Sequence, residues 1–135
     1  MNVKIFSDTN ILIYAFSKNE GVKQQKALEV LDNSWLTIST QVIREFISVG
    51  TIKHKQPLEK IVSQVRNIVD LADVVNEDMN LIDKAIEIHQ KYKFRFYDSL
   101  IIASAITANC KTLYSEDMHH GQVIEGTLTI ANPFV

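Results

Sequence analysis

Val3-Lys4-Ile5-Phe6 runs directly into Ser7-Asp8-Thr9-Asn10 and then into Ile11-Leu12-Ile13-Tyr14-Ala15. The first four residues read as a short strand. The next four are residues that accept hydrogen bonds from the free N–H groups of a helix start, so the chain turns from strand into helix almost at once. The same sequence of events recurs downstream. Trp35-Leu36-Thr37-Ile38 reads as a strand, with Ser39-Thr40 capping a helix that runs to about Val49 and is stopped by Gly50. Between these two units, the break at Asn19-Glu20-Gly21 precedes a helix over Val22 to Leu31.

Pro57 opens the clearest helix, because Leu58, Ile61, Val62, Val65, Ile68 and Val69 recur at helical spacing and form one apolar stripe. Asp73-Val74-Val75 is a short strand, and Asn76 to Tyr92 is again helical. Asp98 to Asn109 is a helix with few polar positions and is therefore expected to be buried. Lys111 to Tyr114 and Thr127 to Ala131 complete the strands. Strands alternating with helices predict an α/β protein: a three-layer α/β/α sandwich with a mostly parallel central sheet. Residues 1–135 suit one domain, and no linker, repeat or low-complexity stretch divides them.

The composition is 46% hydrophobic and 22% charged, with a formal net charge of -2. This excludes a protein that grips nucleic acid by bulk positive charge, while leaving room for an acidic centre that binds cations. The one cysteine, Cys110, cannot pair within the chain and reads as a small core residue in a reducing compartment. Met1 to Phe6 is too short an apolar run for a secretory signal, and Leu100 to Ala108 is about half of what a bilayer crossing needs. A cytoplasmic protein with no membrane partner is the expectation.

The chemistry lies in where the acids fall. Asp8 follows the first strand, Glu45 sits in the first two turns after the second, and Asp117 comes just past Leu113-Tyr114-Ser115. In a parallel sheet ligands bind beyond the carboxyl ends of the strands, so all three are aimed at one edge. Asp98, at the head of the apolar helix, joins them if that helix starts at the same edge. Carboxylates within about 4 Å of one another repel by roughly 4 kcal/mol per pair at an effective dielectric near 20. Such a cluster survives by binding protons or a cation, and hard oxygen ligands select magnesium, calcium or manganese over zinc. An ion held there can take a phosphate oxygen and acidify a water for in-line attack on a phosphodiester.

Each acid also has a plainer reading when taken singly. Asp8 caps the next helix, Asp98 does the same with a favourable dipole interaction, Glu45 is a solvated helix residue, and Asp117 belongs to a turn. The metal reading comes from their joint placement.

Four segments carry a resemblance. They are Ser7-Asp8-Thr9-Asn10-Ile11-Leu12-Ile13-Tyr14-Ala15, Ser39-Thr40-Gln41-Val42-Ile43-Arg44-Glu45-Phe46, Phe96-Tyr97-Asp98-Ser99-Leu100-Ile101-Ile102-Ala103-Ser104-Ala105 and Leu113-Tyr114-Ser115-Glu116-Asp117-Met118. In order and spacing they resemble the four acidic motifs of PIN domains, and in particular VapC-type toxins of bacterial toxin–antitoxin pairs. The tail from His120 through Phe134 is similar to the ending of such toxins. The resemblance implies an α/β/α sandwich and an endoribonuclease that requires Mg2+ or Mn2+. It also implies RNA as substrate, a cognate antitoxin as partner, and a homodimer. Asp8, Glu45, Asp98 and Asp117 would be the catalytic, metal-holding quartet, with Asn10 orienting the site. Glu116 beside Asp117 leaves the identity of the fourth acid open.

Other features carry less. His119-His120 with Cys110 has no recognised zinc spacing. Lys91, Lys93 and Arg95, interleaved with Tyr92, Phe94 and Phe96, are read either as a guide for RNA phosphates or as solubilising charge at a helix end, and Lys53-His54-Lys55 likewise. Two competing functions remain. A phosphatase using Asp8 as nucleophile generally needs a second aspartate where this chain has Asn10. A catalytically inactive PIN-fold module that binds RNA or protein would keep the fold without the chemistry.

Overall fold

β1 (Val3–Ser7) is the hinge of the sheet: it pairs in parallel with β2 (Ser34–Ser39) on one side and with β4 (Thr112–Tyr114) on the other. The computed structural model describes residues 3–32 and 34–135. Its six-stranded sheet has the order β3-β2-β1-β4-β6-β5, where β3 is Asp73–Val75, β5 is Val123–Ile124 and β6 is Leu128–Ala131. All neighbours are parallel except β5, which runs antiparallel to β6 at the margin. The expected mostly parallel α/β architecture is therefore the one observed.

The helices are α1 (Thr9–Phe16), α2 (Gly21–Asp32), α3 (Thr40–Ser48), α4 (Leu58–Leu71), α5 (Met79–Tyr92) and α6 (Phe96–Thr107). The chain winds outward from β1 through β2 to β3, then crosses back past β1 to β4. Parallel crossovers are almost always right-handed, so reversing the winding direction moves the connecting helices to the opposite face. Helices α1 to α4 accordingly pack among themselves, and α5 packs on α6. The sheet lies between the two groups. Its central side chains Ile5, Phe6, Ile38, Leu113 and Ile130 are buried with Val42, Phe46, Ile101 and Ile102 of the helices.

Of the boundaries that differ from the sequence reading, three have a clear physical cause or bear on the edge. Helix α5 begins at Met79 rather than Asn76, because the Asp78 carboxylate accepts the Leu81 N–H at 2.9 Å and fixes the start there. Helix α6 begins at Phe96, two residues before Asp98, which places Asp98 in its first turn rather than at its cap. Gly50 does not stop the third helix; the chain continues as a π-helical turn, Val49–Lys53. A Cβ at Gly50 would lie 2.6 Å from Ile61 Cδ1, so the glycine serves close approach to α4 rather than termination. Strand β5 had no signal in the sequence, since two residues carry no periodicity.

Phe46 ties these layers together. It is 2% exposed, meets Phe16 edge-on at 5.8 Å and belongs to the main core cluster. Phe46→Ala is expected to lower unfolding free energy by about 3–5 kcal/mol, since a rigid two-layer contact cannot collapse into the cavity. Urea unfolding followed by circular dichroism measures it.

Candidate active site

Strands β2, β1 and β4 are neighbours and parallel, so their carboxyl ends open on one edge, at the point where the winding reverses. Asp8 leaves β1 there. Its N–H donates to Tyr114 O at 2.9 Å, which ties it to β4. Its Oδ1 accepts the Thr9 N–H at 2.7 Å, and its Oδ2 accepts the Ser115 hydroxyl at 2.9 Å. Asp8 is thus the N-cap of α1 and an acid of the edge at once. The cap read from the sequence is the one observed, and the same carboxylate lies at the strand-end edge.

Glu45 comes from the second turn of α3, whose start is fixed by Ser39 Oγ accepting the Val42 N–H. Both carboxylate oxygens are held: Oε2 accepts the Thr9 hydroxyl at 2.8 Å, and Oε1 accepts Gln41 Nε2 at 3.0 Å. Thr9 is 4% exposed and Gln41 3%, so these neutral donors hold Glu45 from inside the protein. Asp98, in the first turn of α6, faces the same region from the other layer. Its only cationic neighbour among the described residues is Arg95, at 3.4 Å and with its side chain 82% exposed. The Asp117 carboxylate accepts Asn10 Nδ2 at 3.1 Å, and the Asp117 N–H donates to the Ser115 hydroxyl oxygen at 3.3 Å.

Burial pushes the Asp8 carboxyl up to about 6 from an ordinary 3.8. The Thr9 and Ser115 hydrogen bonds oppose the shift, while the charges of Glu45 and Asp98 add to it. Asp8, Glu45 and Asp98 therefore share one field, and Asp117 joins one step out through Ser115 and Asn10.

Glu116, the other contender for the fourth position, belongs to a separate cluster. It accepts Tyr14 Oη at 2.7 Å and Lys23 Nζ at 2.6 Å, and Lys23 also lies over the Tyr14 ring. Burial works to raise the Glu116 carboxyl, but the Lys23 and Tyr14 contacts override it and leave it below its usual value.

The donor set suits a hard divalent cation, since Glu45 and Asp98 lie close enough to act on the charge of Asp8 and no lysine pairs with any of the three among the described residues. As placed, no group of three or more His, Cys, Asp or Glu side chains among the described residues is gathered tightly enough to hold an ion. Each carboxylate is held in its direction by Thr9, Gln41, Ser115, Asn10 or Arg95. The fit lies in donor chemistry and in the desolvation of Asp8.

Sequence reasoning missed Thr9, Gln41 and Ser115 as parts of the edge. For Gln41 a signal existed: it precedes Glu45 by four residues and shares its helix face. Of the basic and aromatic run, Lys91 pairs with Glu125 at 2.8 Å and Phe94 packs on the core, leaving Arg95 beside Asp98. His120 Nδ1 accepts the Asn132 N–H at 2.9 Å, an ordinary clasp between two loops.

A carboxyl raised on folding contributes most to stability below pH 3.8, where it is protonated in both states. That contribution is lost as pH rises through about 6. The interval of about 2 pH units caps the cost at neutral pH at roughly 3 kcal/mol, less where solvent reaches the group. Asp8→Asn keeps an acceptor for Thr9 and removes the charge. Without divalent metal at pH 7.5 it is therefore expected to melt higher than the native protein, and the difference should vanish near pH 4. Scanning calorimetry in chelator reads both points, and a lower Tm for the variant at pH 7.5 contradicts the account.

The PIN-domain family model matches residues 5–124. Comparison with curated proteins gave no match. Among solved structures, the chain is similar to a toxin–antitoxin complex from Klebsiella pneumoniae, with a TM-score of 0.71, 23% identity, and 96% of this chain and 97% of that chain covered. It is similar to VapBC-1 from nontypeable Haemophilus influenzae, with a TM-score of 0.67, 17% identity, and 98% and 100% covered. It is also similar to VapC20 of Mycobacterium tuberculosis, described as a toxin that cleaves the sarcin–ricin loop, with a TM-score of 0.66, 13% identity, and 82% and 87% covered. At these identities the structures share a fold. The family match spans most of the chain, through the strands and helices that carry Asp8, Glu45, Asp98 and Asp117: this chain belongs to the PIN-domain family.

Proposed function

We propose that the protein is a divalent-metal-dependent endoribonuclease, the toxin of a toxin–antitoxin pair, with Asp8, Glu45, Asp98 and Asp117 as its acidic centre. The observation that carries the reading is the Asp8 carboxyl, held near 6 by burial and by the Glu45 and Asp98 charges at the reversal point of the sheet. A fold that gathers uncompensated negative charge at a ligand-binding edge carries a cost there, and a bound cation removes that cost. A bound Mg2+ or Mn2+ ion supplies the Lewis acid for a phosphate oxygen and lowers the pKa of water beside it.

The chain's own residues do the rest. Asp8, at the end of β1, and Asp98, in the first turn of α6, would hold the ion. Glu45, kept in place by Thr9 and Gln41, would take a proton from the water that attacks phosphorus, while the P–O bond to the leaving oxygen breaks and that oxygen is protonated from solvent. Asp117, fixed by Asn10 and the Ser115 hydroxyl, completes the anionic wall. Arg95, exposed at the rim beside Asp98, meets the RNA phosphate. The fold shared with VapBC complexes supports an antitoxin partner, and self-association into a homodimer is part of the proposal on the family resemblance alone.

Purified protein is expected to cut structured RNA in Mg2+ or Mn2+ and to stop in chelator. Asp8→Asn and Asp98→Asn should each lower the rate at least about a hundredfold with the fold intact, since each removes a carboxylate proposed to hold the ion that stabilises the developing charge. Equal cleavage by both variants and the native protein sinks the reading, and folded native protein that binds RNA without cutting it points to the inactive module. The fourth acid is tested separately. Asp117→Asn should slow cleavage, whereas Glu116→Gln, which loosens only the Lys23 and Tyr14 cluster, should change the rate less than about threefold.

A further inference from the structure

Gln41 sits in the first turn of α3, 3% exposed, and reaches two places at once. Its Nε2 donates to Glu45 Oε1 at 3.0 Å and to the main-chain oxygen of Tyr97 at 3.3 Å. Tyr97 immediately precedes Asp98, so one carboxamide joins the carboxylate from β2's helix to the backbone that carries the carboxylate from α6. Its other atom, Oε1, is buried and finds no hydrogen-bond partner among the described residues. An amide buried with one end unmatched carries a standing cost, and a purely structural position would be filled better by an apolar side chain. Flipping the amide is no remedy, because Oε1 would then face Glu45 Oε1 and Tyr97 O, both acceptors.

Resting on the metal-centre reading above, we infer that Gln41 is a positioning residue that clips Glu45 to the start of α6 and so sets the spacing of Glu45 and Asp98 at which a divalent cation is captured. Two features favour this over simple packing. The clip uses both N–H groups of the amide on atoms adjoining the two acids, and it adds no charge, so Glu45 is oriented without being neutralised. The opposite oxygen of Glu45 is held in the same manner by the hydroxyl of Thr9, whose backbone N–H donates to the capping carboxylate of Asp8. Glu45 is thereby indexed to Asp8 on one side and to Asp98 on the other.

The test uses Mn2+ alone, titrated by calorimetry into metal-free full-length protein, with Tm measured on the same samples. Gln41→Met keeps the volume, removes both donations and also removes the unmatched oxygen. It is expected to melt no lower than the native protein while binding Mn2+ about tenfold or more weakly, the usual effect of losing a group that orients a ligand. Gln41→Asn keeps the amide but is one methylene too short to span both acceptors, and should weaken binding in the same direction. It decides the matter if the methionine variant does not fold. Wild-type affinity in either folded variant overturns the inference. The Asp8→Asn protein identifies the other failure: if its Mn2+ heat equals that of the native protein, or the native protein gives none, the metal-centre reading falls and this inference falls with it.

Discussion

A carboxyl group taken out of water beside two others is the constraint around which this molecule is organised. Asp8 cannot relax away from it. Its backbone N–H is bonded to Tyr114 O, its Oδ1 caps α1, and its Oδ2 is held by Ser115, so the side chain is fixed by the junction of β1, α1 and β4. The resulting rise to about 6 follows from where the backbone goes rather than from side-chain choice at the surface. Moving Asp8 would require moving the central strand.

The topology explains why this happens at one place. Strands β2, β1 and β4 present their carboxyl ends together, and the winding reverses between β1 and β4, the position at which open parallel sheets bind ligands. Glu45 arrives on a helix from one layer and Asp98 on a helix from the other. Neither is near Asp8 in sequence, and no local structure brings them together. The buried core of Phe6, Ile38, Leu113, Phe46 and Ile102 holds the layers in register, so the hydrophobic energy of the sandwich opposes the repulsion at its edge.

Most of this architecture was legible in the sequence because it rests on periodicity and caps. The alternation of elements, the stripe along α4 and the apolar α6 each leave a signal over ten residues or more. The acids were legible as positions relative to strand ends. Three things were not. The choice between Glu116 and Asp117 depends on Lys23 and Tyr14 reaching one of two adjacent carboxylates, a matter of side-chain direction over a turn. The function of Gly50 depends on Ile61, eleven positions away on another helix. The anchoring of Glu45 depends on Thr9, whose side chain approaches only after β1 and β2 have paired. Each is a tertiary contact between residues with ordinary local roles, and local patterns cannot encode it.

The kind of donor that surrounds the acids bears on what the edge is for. Glu45, Asp8 and Asp117 are held by a threonine, a glutamine, a serine and an asparagine, all neutral. Neutral donors satisfy part of a carboxylate's hydrogen-bonding capacity and fix its direction while leaving its charge in the field. Lysines in the same positions would have stabilised the fold more, as Lys23 does for Glu116, where the carboxyl falls below its usual value. The chain thus contains both solutions within two residues. Glu116 is paired with a lysine and takes on the character of a structural pair, while Asp117 is steered by an asparagine and a serine, with no cation paired to it among the described residues. A protein that needed only stability would treat the two alike. One that must leave negative charge free to meet a cation would separate them in this way, at the cost of a less stable metal-free fold.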